Sequence, residues 1–183
     1  NSGGVYMTDE KIFKIPFPSL GIERRGQSYA RSDNYSSDTL VHEITHQLMH
    51  DYLQHLPTWV IEGTAEYTEM LPYNGGKFRV SGAESGFKEY LENFNRRGLA
   101  PSLPDLNTFI RMSRDEWQNK AAAGKMPQLY QQSAVLVYFF NHLDGDGKGR
   151  SFMKYMHAKR AQIALWKAYF KSFEVYRKEM DEF

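Results

Sequence analysis

With 183 residues, 41% hydrophobic and 25% charged, the chain has the size and balance of one globular domain, and intrinsic disorder is excluded for most of it. Its 23 Lys and Arg against 22 Asp and Glu leave a formal charge of +1, which argues against a nucleic-acid or polyanion binder. Cysteine is absent, so disulfides and thiolate metal sites are excluded and any metal must be held by His, Asp or Glu.

The first third reads as short strands and turns. Val5–Met7, Lys11–Pro16 and Gln27–Arg31 are extended candidates, broken by Pro16, Pro18, Gly21 and Gly26. Ser36 or Ser37 can cap a helix running to about Tyr52, and His55-Leu56-Pro57 ends it. A second helix runs from Thr58 to about Met70, followed by a turn over Leu71–Gly76. Helical periodicity returns over Ala83–Arg97 and stops at Gly98; Pro104–Met112 is a short helix. Ser113-Arg114-Asp115-Glu116 has capping-box form and opens another. Pro127–Leu143 is an apolar helix closed by Asp144-Gly145-Asp146-Gly147, and Ser151–Phe183 is helical with a break expected near Arg160–Gln162. Strands first and helices after predict an α+β fold. We read one domain over 1–183: a strand-rich 1–35, the two helices of 36–71 and a helical part over 72–183. No apolar run approaches the ~20 residues a membrane span requires. Asn1-Ser2-Gly3-Gly4 has no signal-peptide pattern. A cytosolic protein and a trimmed piece of a longer one both stay open, and a trimmed bacterial piece would favour an extracytoplasmic setting.

The strongest feature is His42-Glu43-Ile44-Thr45-His46. Positions four apart lie one turn above each other on a helix, so His42 and His46 can bind one divalent ion. Glu43 lies about 100° round the helix. It is poorly placed as a ligand but well placed to reach a water in the metal's open position and take its proton, a zinc-bound water having a pKa of about 7. The next helix carries Glu62 and Glu66, again four apart. An antiparallel return would set Glu62 beside both imidazoles as third ligand of one zinc, with Glu66 accepting an N–H from His42 or His46. The bland alternative is an amphipathic helix with two surface carboxylates.

Trp59-Val60-Ile61-Glu62-Gly63-Thr64-Ala65 matches the Trp-x-x-Glu-Gly-x-Ala pattern of aminopeptidase-N-like enzymes. The stretch as a whole resembles the glutamate zincins, including small bacterial peptidase-like domains of that clan. The resemblance covers roughly 36–70 closely and 105–143 loosely. It implies a zincin-like catalytic core, a single zinc held by His42, His46 and Glu62, Glu43 as general base, and Glu66 as the carboxylate behind a ligand histidine. The segment opening at Tyr130-Gln131-Gln132-Ser133 is similar to the one that supplies the clan's catalytic tyrosine, which implies that Tyr130 donates to the oxyanion. The Gly-x-Met-Glu-Asn strand that grips a free amine in aminopeptidases is absent; Gly21-Ile22-Glu23 is a faint echo. An endopeptidase acting on peptide or protein substrates is therefore favoured, with an aminopeptidase or a zinc-bound peptide-binding module without turnover as alternatives. Clan analogy also implies an edge strand that holds substrate by strand addition, from Gln27–Arg31 or Val5–Met7.

Other features are read as structural. His50 lies more than ~10 Å along the axis from His42 and cannot share its ion. His55, His142 and His157 have no ligand-spaced partner, and Tyr138 is core. Asp144–Gly149 lacks the ligands of a calcium loop and reads as an interhelical turn. Arg24-Arg25 and Arg96-Arg97 are solvated pairs. Leu165, Trp166, Tyr169, Phe170, Phe173 and Tyr176 have the spacing of a core-facing helix; an exposed aromatic face for a partner domain of a longer protein is the alternative. Trp59 and Tyr67 are further aromatics expected near the metal.

Overall fold

The computed structural model describes residues 4–7, 9–32, 37–99 and 105–181, with side chains through residue 172. The strands are three antiparallel pairs: β1 (Val5–Met7) with β2 (Ile12–Lys14), β3 (Ile22–Arg25) with β4 (Ser28–Arg31), and β5 (Tyr73–Asn74) with β6 (Lys77–Phe78). The helices are α1 (Asp38–Leu48), α2 (Thr58–Glu69), α3 (Ala83–Arg96), α4 (Leu106–Ile110), α5 (Arg114–Lys120), α6 (Met126–His142) and α7 (Arg150–Asp181). The fold is α+β, with short strands leading into a helical core, as the order of sequence patterns predicts.

The differences are local and have physical causes. Strand β3, in a stretch read only as a turn, follows Gly21 at φ 66° and pairs Ile22 with Arg31. Helix α1 ends at Leu48, and the rest of the expected helix is a 3₁₀ turn over His50–Tyr52. Ser37 stands at the N-cap of α1 without a capping hydrogen bond, and Asp38 supplies the negative charge its first turn favours. Ser36 and Pro104 lie outside the described residues. Gly75 and Gly76, both at positive φ, turn the expected loop into the β5–β6 hairpin. Helix α7 runs unbroken through 160–162, since 150–181 contains neither Gly nor Pro.

Helix α2 is the centre of the molecule. Trp59, Val60, Ile61, Gly63, Ala65 and Glu66 are all buried, so its neighbours surround it rather than lying along one stripe. Helix α6 covers one side with Leu129, Ser133, Ala134 and Val137. The approach is close at Gly63, where a Cβ would stand 2.5 Å from the Ser133 carbonyl oxygen. An alanine there gains about 1 kcal/mol of helix propensity. Forcing two packed backbones apart costs about 1–3 kcal/mol, so the clash outweighs the gain. Gly63→Ala is expected to lower the urea midpoint at unchanged slope; a midpoint at or above wild type would contradict the close packing.

Helix α1 lies on another side of α2. Its orientation is opposite to what hydrophobicity dictates: His42, Glu43, Thr45 and His46 are buried, whereas Ile44 and Leu48 are exposed. Helix α5 opens with the predicted capping box, Ser113 and Glu116 bonding each other's backbone. Between α5 and α6 the chain widens into a π-helical turn over Ala121–Lys125, and Gly124 at φ 79° permits the kink. Among the described residues no helix is long and apolar enough to cross a membrane.

Candidate metal centre

The two histidines of α1 and Glu62 of α2 converge. His42 and His46 have ring centroids 4.6 Å apart, and Glu62 Oε2 lies 3.3 Å from Nε2 of His42 and 3.5 Å from Nε2 of His46. One ligand atom from each residue falls within 4.8 Å of the others. Zinc bonds of about 2.0–2.2 Å at tetrahedral angles separate neighbouring ligands by about 3.3–3.5 Å. The carboxylate stands at that distance from both imidazoles, so the three residues fit one such ion. Charge points the same way. Four carboxylates, Glu43, Glu62, Glu66 and Glu69, gather around two imidazoles in a mostly buried cluster that a dication would partly neutralise.

Without a metal, a proton takes that part. Burial lowers the basicity of His42, but hydrogen bonds to Glu62 and Glu69 outweigh it and push its pKa up to about 10. Burial raises that of Glu62, and the two histidines more than reverse this, holding it down at about 2.

Glu43 is buried, and its Oε2 has no hydrogen-bond partner among the described residues. Burial raises its pKa; the neighbouring histidines oppose this and Glu62 adds to it. It faces a cavity of about 370 Å³ that also receives His42, His46, Glu62 and Tyr130. Strand β1 forms one wall with Val5 and Tyr6, preceded by Gly4. A Cβ on Gly4 would stand 2.9 Å from Glu43 Cγ, so a glycine lets the backbone run against this carboxylate. Arg114 and Trp117 of α5 also line the cavity. Of the two edge-strand candidates, β1 borders the cavity and β4 does not.

The carboxylate behind His42 departs from the sequence reading. Glu66 Oε1 approaches Nδ1 of His42 only to 3.6 Å, whereas Glu69 Oε1 makes a short hydrogen bond to it. Glu66 instead accepts from Tyr90 Oη at 2.7 Å. Burial, reinforced by the charge of Glu69, raises the pKa of Glu66 to about 7; burial also raises that of Glu69. Glu69 was legible in principle, since 62, 66 and 69 form one stripe on α2. The sequence reading carries that stripe only as far as Glu66, and nothing local in the sequence points to Tyr90. An outer carboxylate on a ligand histidine typically contributes 10–100-fold to metal affinity. Glu69→Gln is therefore expected to weaken zinc binding about 10–100-fold in chelator competition, with Glu66→Gln weakening it less; the reverse order would return the role to Glu66.

Tyr130, in the first turns of α6, has its ring 5.9 Å from that of His42. Burial and the surrounding carboxylates push its pKa well above the usual tyrosine range, so at neutral pH the hydroxyl keeps its proton and can donate.

The remaining candidates fall elsewhere. His50 Nδ1 pairs with Tyr6 Oη at 3.0 Å. His142 Nε2 pairs with Tyr67 Oη at 2.7 Å. Tyr67 is thus not at the metal-ligand cluster, contrary to expectation. Nor is Trp59, whose indole donates to the Ile110 carbonyl at 3.3 Å. Tyr138 is core and stacks on Phe87 at 3.8 Å. Asp144–Gly149 is an interhelical turn with Gly145, Gly147 and Gly149 at positive φ. Glu23, the faint echo of an amine-binding glutamate, is exposed on β3 and does not border the cavity. No family model, curated protein or solved structure matches the chain.

Proposed function

We propose that this chain is a zinc-dependent peptidase of glutamate-zincin type that cleaves internal peptide bonds. The observation that carries the reading is the convergence of Nε2 of His42, Nε2 of His46 and Oε2 of Glu62 in the cavity that also holds Glu43 and Tyr130. When bound, zinc would polarise the scissile carbonyl and acidify water. The protein's own groups do the rest. Glu43, with one carboxylate oxygen unpartnered, takes a proton from the attacking water and passes it to the leaving amine. Tyr130 donates a hydrogen bond to the developing oxyanion. Strand β1 pairs with β2 along one edge and borders the cavity, so an extended substrate can add to it by backbone hydrogen bonds. Glu23, the faint echo of an amine-gripping glutamate, does not line the cavity, which supports an endopeptidase over an aminopeptidase.

Zinc per purified chain, followed by hydrolysis of quenched peptides with blocked amino termini with and without chelator, tests the reading. One zinc per chain and chelator-sensitive cleavage are expected. Zinc without cleavage would make the chain a peptide-binding module, and no zinc at all would sink the proposal. Losing one oxyanion donor typically costs about 10²–10³ in rate. Tyr130→Phe is expected to lower kcat by that factor with zinc content unchanged; an unaltered kcat removes Tyr130 from the mechanism.

A further inference from the structure

The aromatic stripe of α7 is not core-facing at its end, contrary to expectation: Leu165, Trp166, Tyr169 and Phe170 are exposed. Phe173 and Tyr176 have side chains outside the described residues. The charge that selects a ligand lies instead at the metal-ligand cluster.

Helix α5 and the π-helical turn that continues it give one face to the cavity. Arg114, Trp117, Gln118 and Ala121 line it, and their spacing of i, i+3, i+4 and i+7 is that of a single helical stripe. Asp115 and Glu116, about 100° and 200° round from Arg114, do not line it. Glu116 is held in the capping box with Ser113. The helix thus presents a cation to the cavity and no anion.

Arg114 is the one Lys or Arg among the lining residues. Its Nη2 donates to the Leu53 carbonyl oxygen at 3.1 Å. That bond ties the side chain to the turn following the helix of His42 and His46. A neutral carbonyl leaves the guanidinium charge uncompensated, and among the described residues Arg114 makes no ion pair. It is exposed, so the rest of its fork of N–H donors is open to a ligand. The lining carboxylates are Glu43 and Glu62. A bound dication would offset both, which leaves Arg114 as the charge a substrate meets. The apolar side chains of Leu53, Ile61 and Trp117 line the same cavity. A short apolar stem ending in a carboxylate matches this combination, since a guanidinium binds a carboxylate by paired, charge-assisted hydrogen bonds.

We infer that Arg114 is a specificity-determining residue that receives a carboxylate of the bound peptide, so that the chain prefers acidic substrates. This rests on the peptide-binding part of the proposed function and not on turnover. A Glu or Asp side chain and a free C-terminus both carry that group, and the test separates them. Fluorescence anisotropy on the zinc-loaded Glu43→Gln chain reads binding without cleavage. One set of probes is a neutral peptide blocked at both ends, with a single Gln replaced by Glu at successive positions. The other is the same neutral peptide with its C-terminus free. At one position Glu is expected to bind about tenfold more tightly than Gln, with the advantage shrinking as salt is raised. Arg114→Gln should bring that ratio close to one, and Arg114→Glu should shift the preference to a Lys-bearing peptide. A merely structural role would not invert selectivity, and thermal unfolding and zinc content of both variants should match wild type. An advantage confined to the free C-terminus and abolished by Arg114→Gln would assign the same contact to the terminal carboxylate. Equal binding of acidic and neutral peptides overturns the inference, as does an advantage that survives Arg114→Gln or a chain that binds none of the peptides. Failure of the peptidase reading alone would look different: the acidic preference in binding would persist while the wild-type chain cleaved no peptide.

Discussion

Replacing Glu43 with Gln is expected to leave zinc in place and to lower peptide hydrolysis by about 10²–10⁴-fold, the usual contribution of a positioned general base. The amide keeps the shape of the carboxylate but cannot accept the water's proton. Because Glu43 is not one of the three converging ligands, metal binding should survive. Its burial beside Gly4 makes the isosteric change preferable to alanine, which would open a void against β1. The measurement pairs metal analysis with kcat/KM on a blocked peptide. A variant as active as wild type would remove Glu43 from the mechanism. A variant that has lost its zinc would instead make it a ligand.

His42→Ala is expected to abolish stoichiometric zinc binding, an effect beyond the ~100-fold that loss of an outer partner brings. His42 is the hub of the site, facing Glu62 through Nε2 and Glu69 through Nδ1. Full zinc occupancy in this variant would overturn the ligand assignment. The same residue sets a pH dependence. In the metal-free chain the His42 pKa rises from 6.5 to about 10. Its stabilising charge is therefore fully present below 6.5 and is lost as pH rises through about 10. Glu62 is lowered from 4.5 to about 2, so its contribution is present above 4.5 and is lost as pH falls through about 2. Zinc must displace the His42 proton, so its apparent affinity is expected to climb about tenfold per pH unit and to keep climbing above pH 7. A plateau near pH 7 in competition titrations would mean an imidazole of ordinary basicity.

The parts of the site that were legible in the sequence are those fixed by helical repeat. His42 and His46 share a face because four residues make about one turn, and Glu62, Glu66 and Glu69 share a stripe on α2 for the same reason. Helix existence was legible too, because apolar periodicity and turn residues are local signals. Local signals failed where partners came from elsewhere. The partner of His42 Nδ1 is Glu69 rather than Glu66, decided by the placement of α2 against α1. Tyr90 reaches Glu66 from α3, in another part of the chain. Hydrophobicity would turn α1 round, with Ile44 and Leu48 inward and the histidines outward. The structure has the opposite, because the buried carboxylates of α2 give the imidazoles charged partners that water would otherwise have to supply. The aromatic surplus divides similarly. Most described rings pack between helices, but those of Trp166, Tyr169 and Phe170 do not, since α7 continues past the body that would have covered them.

The sequence by itself thus determined the fold class, the order of the helices and two residue pairs at helical spacing, His42 with His46 and Glu62 with Glu66. It could do so because backbone geometry repeats without reference to the rest of the chain. Only the tertiary structure decided which carboxylate meets which nitrogen, that β1 rather than β4 walls the cavity, and that the end of α7 stands uncovered. These depend on the relative placement of segments far apart in the chain, which close packing at contacts such as Gly63 against Ser133 sets and no local pattern encodes.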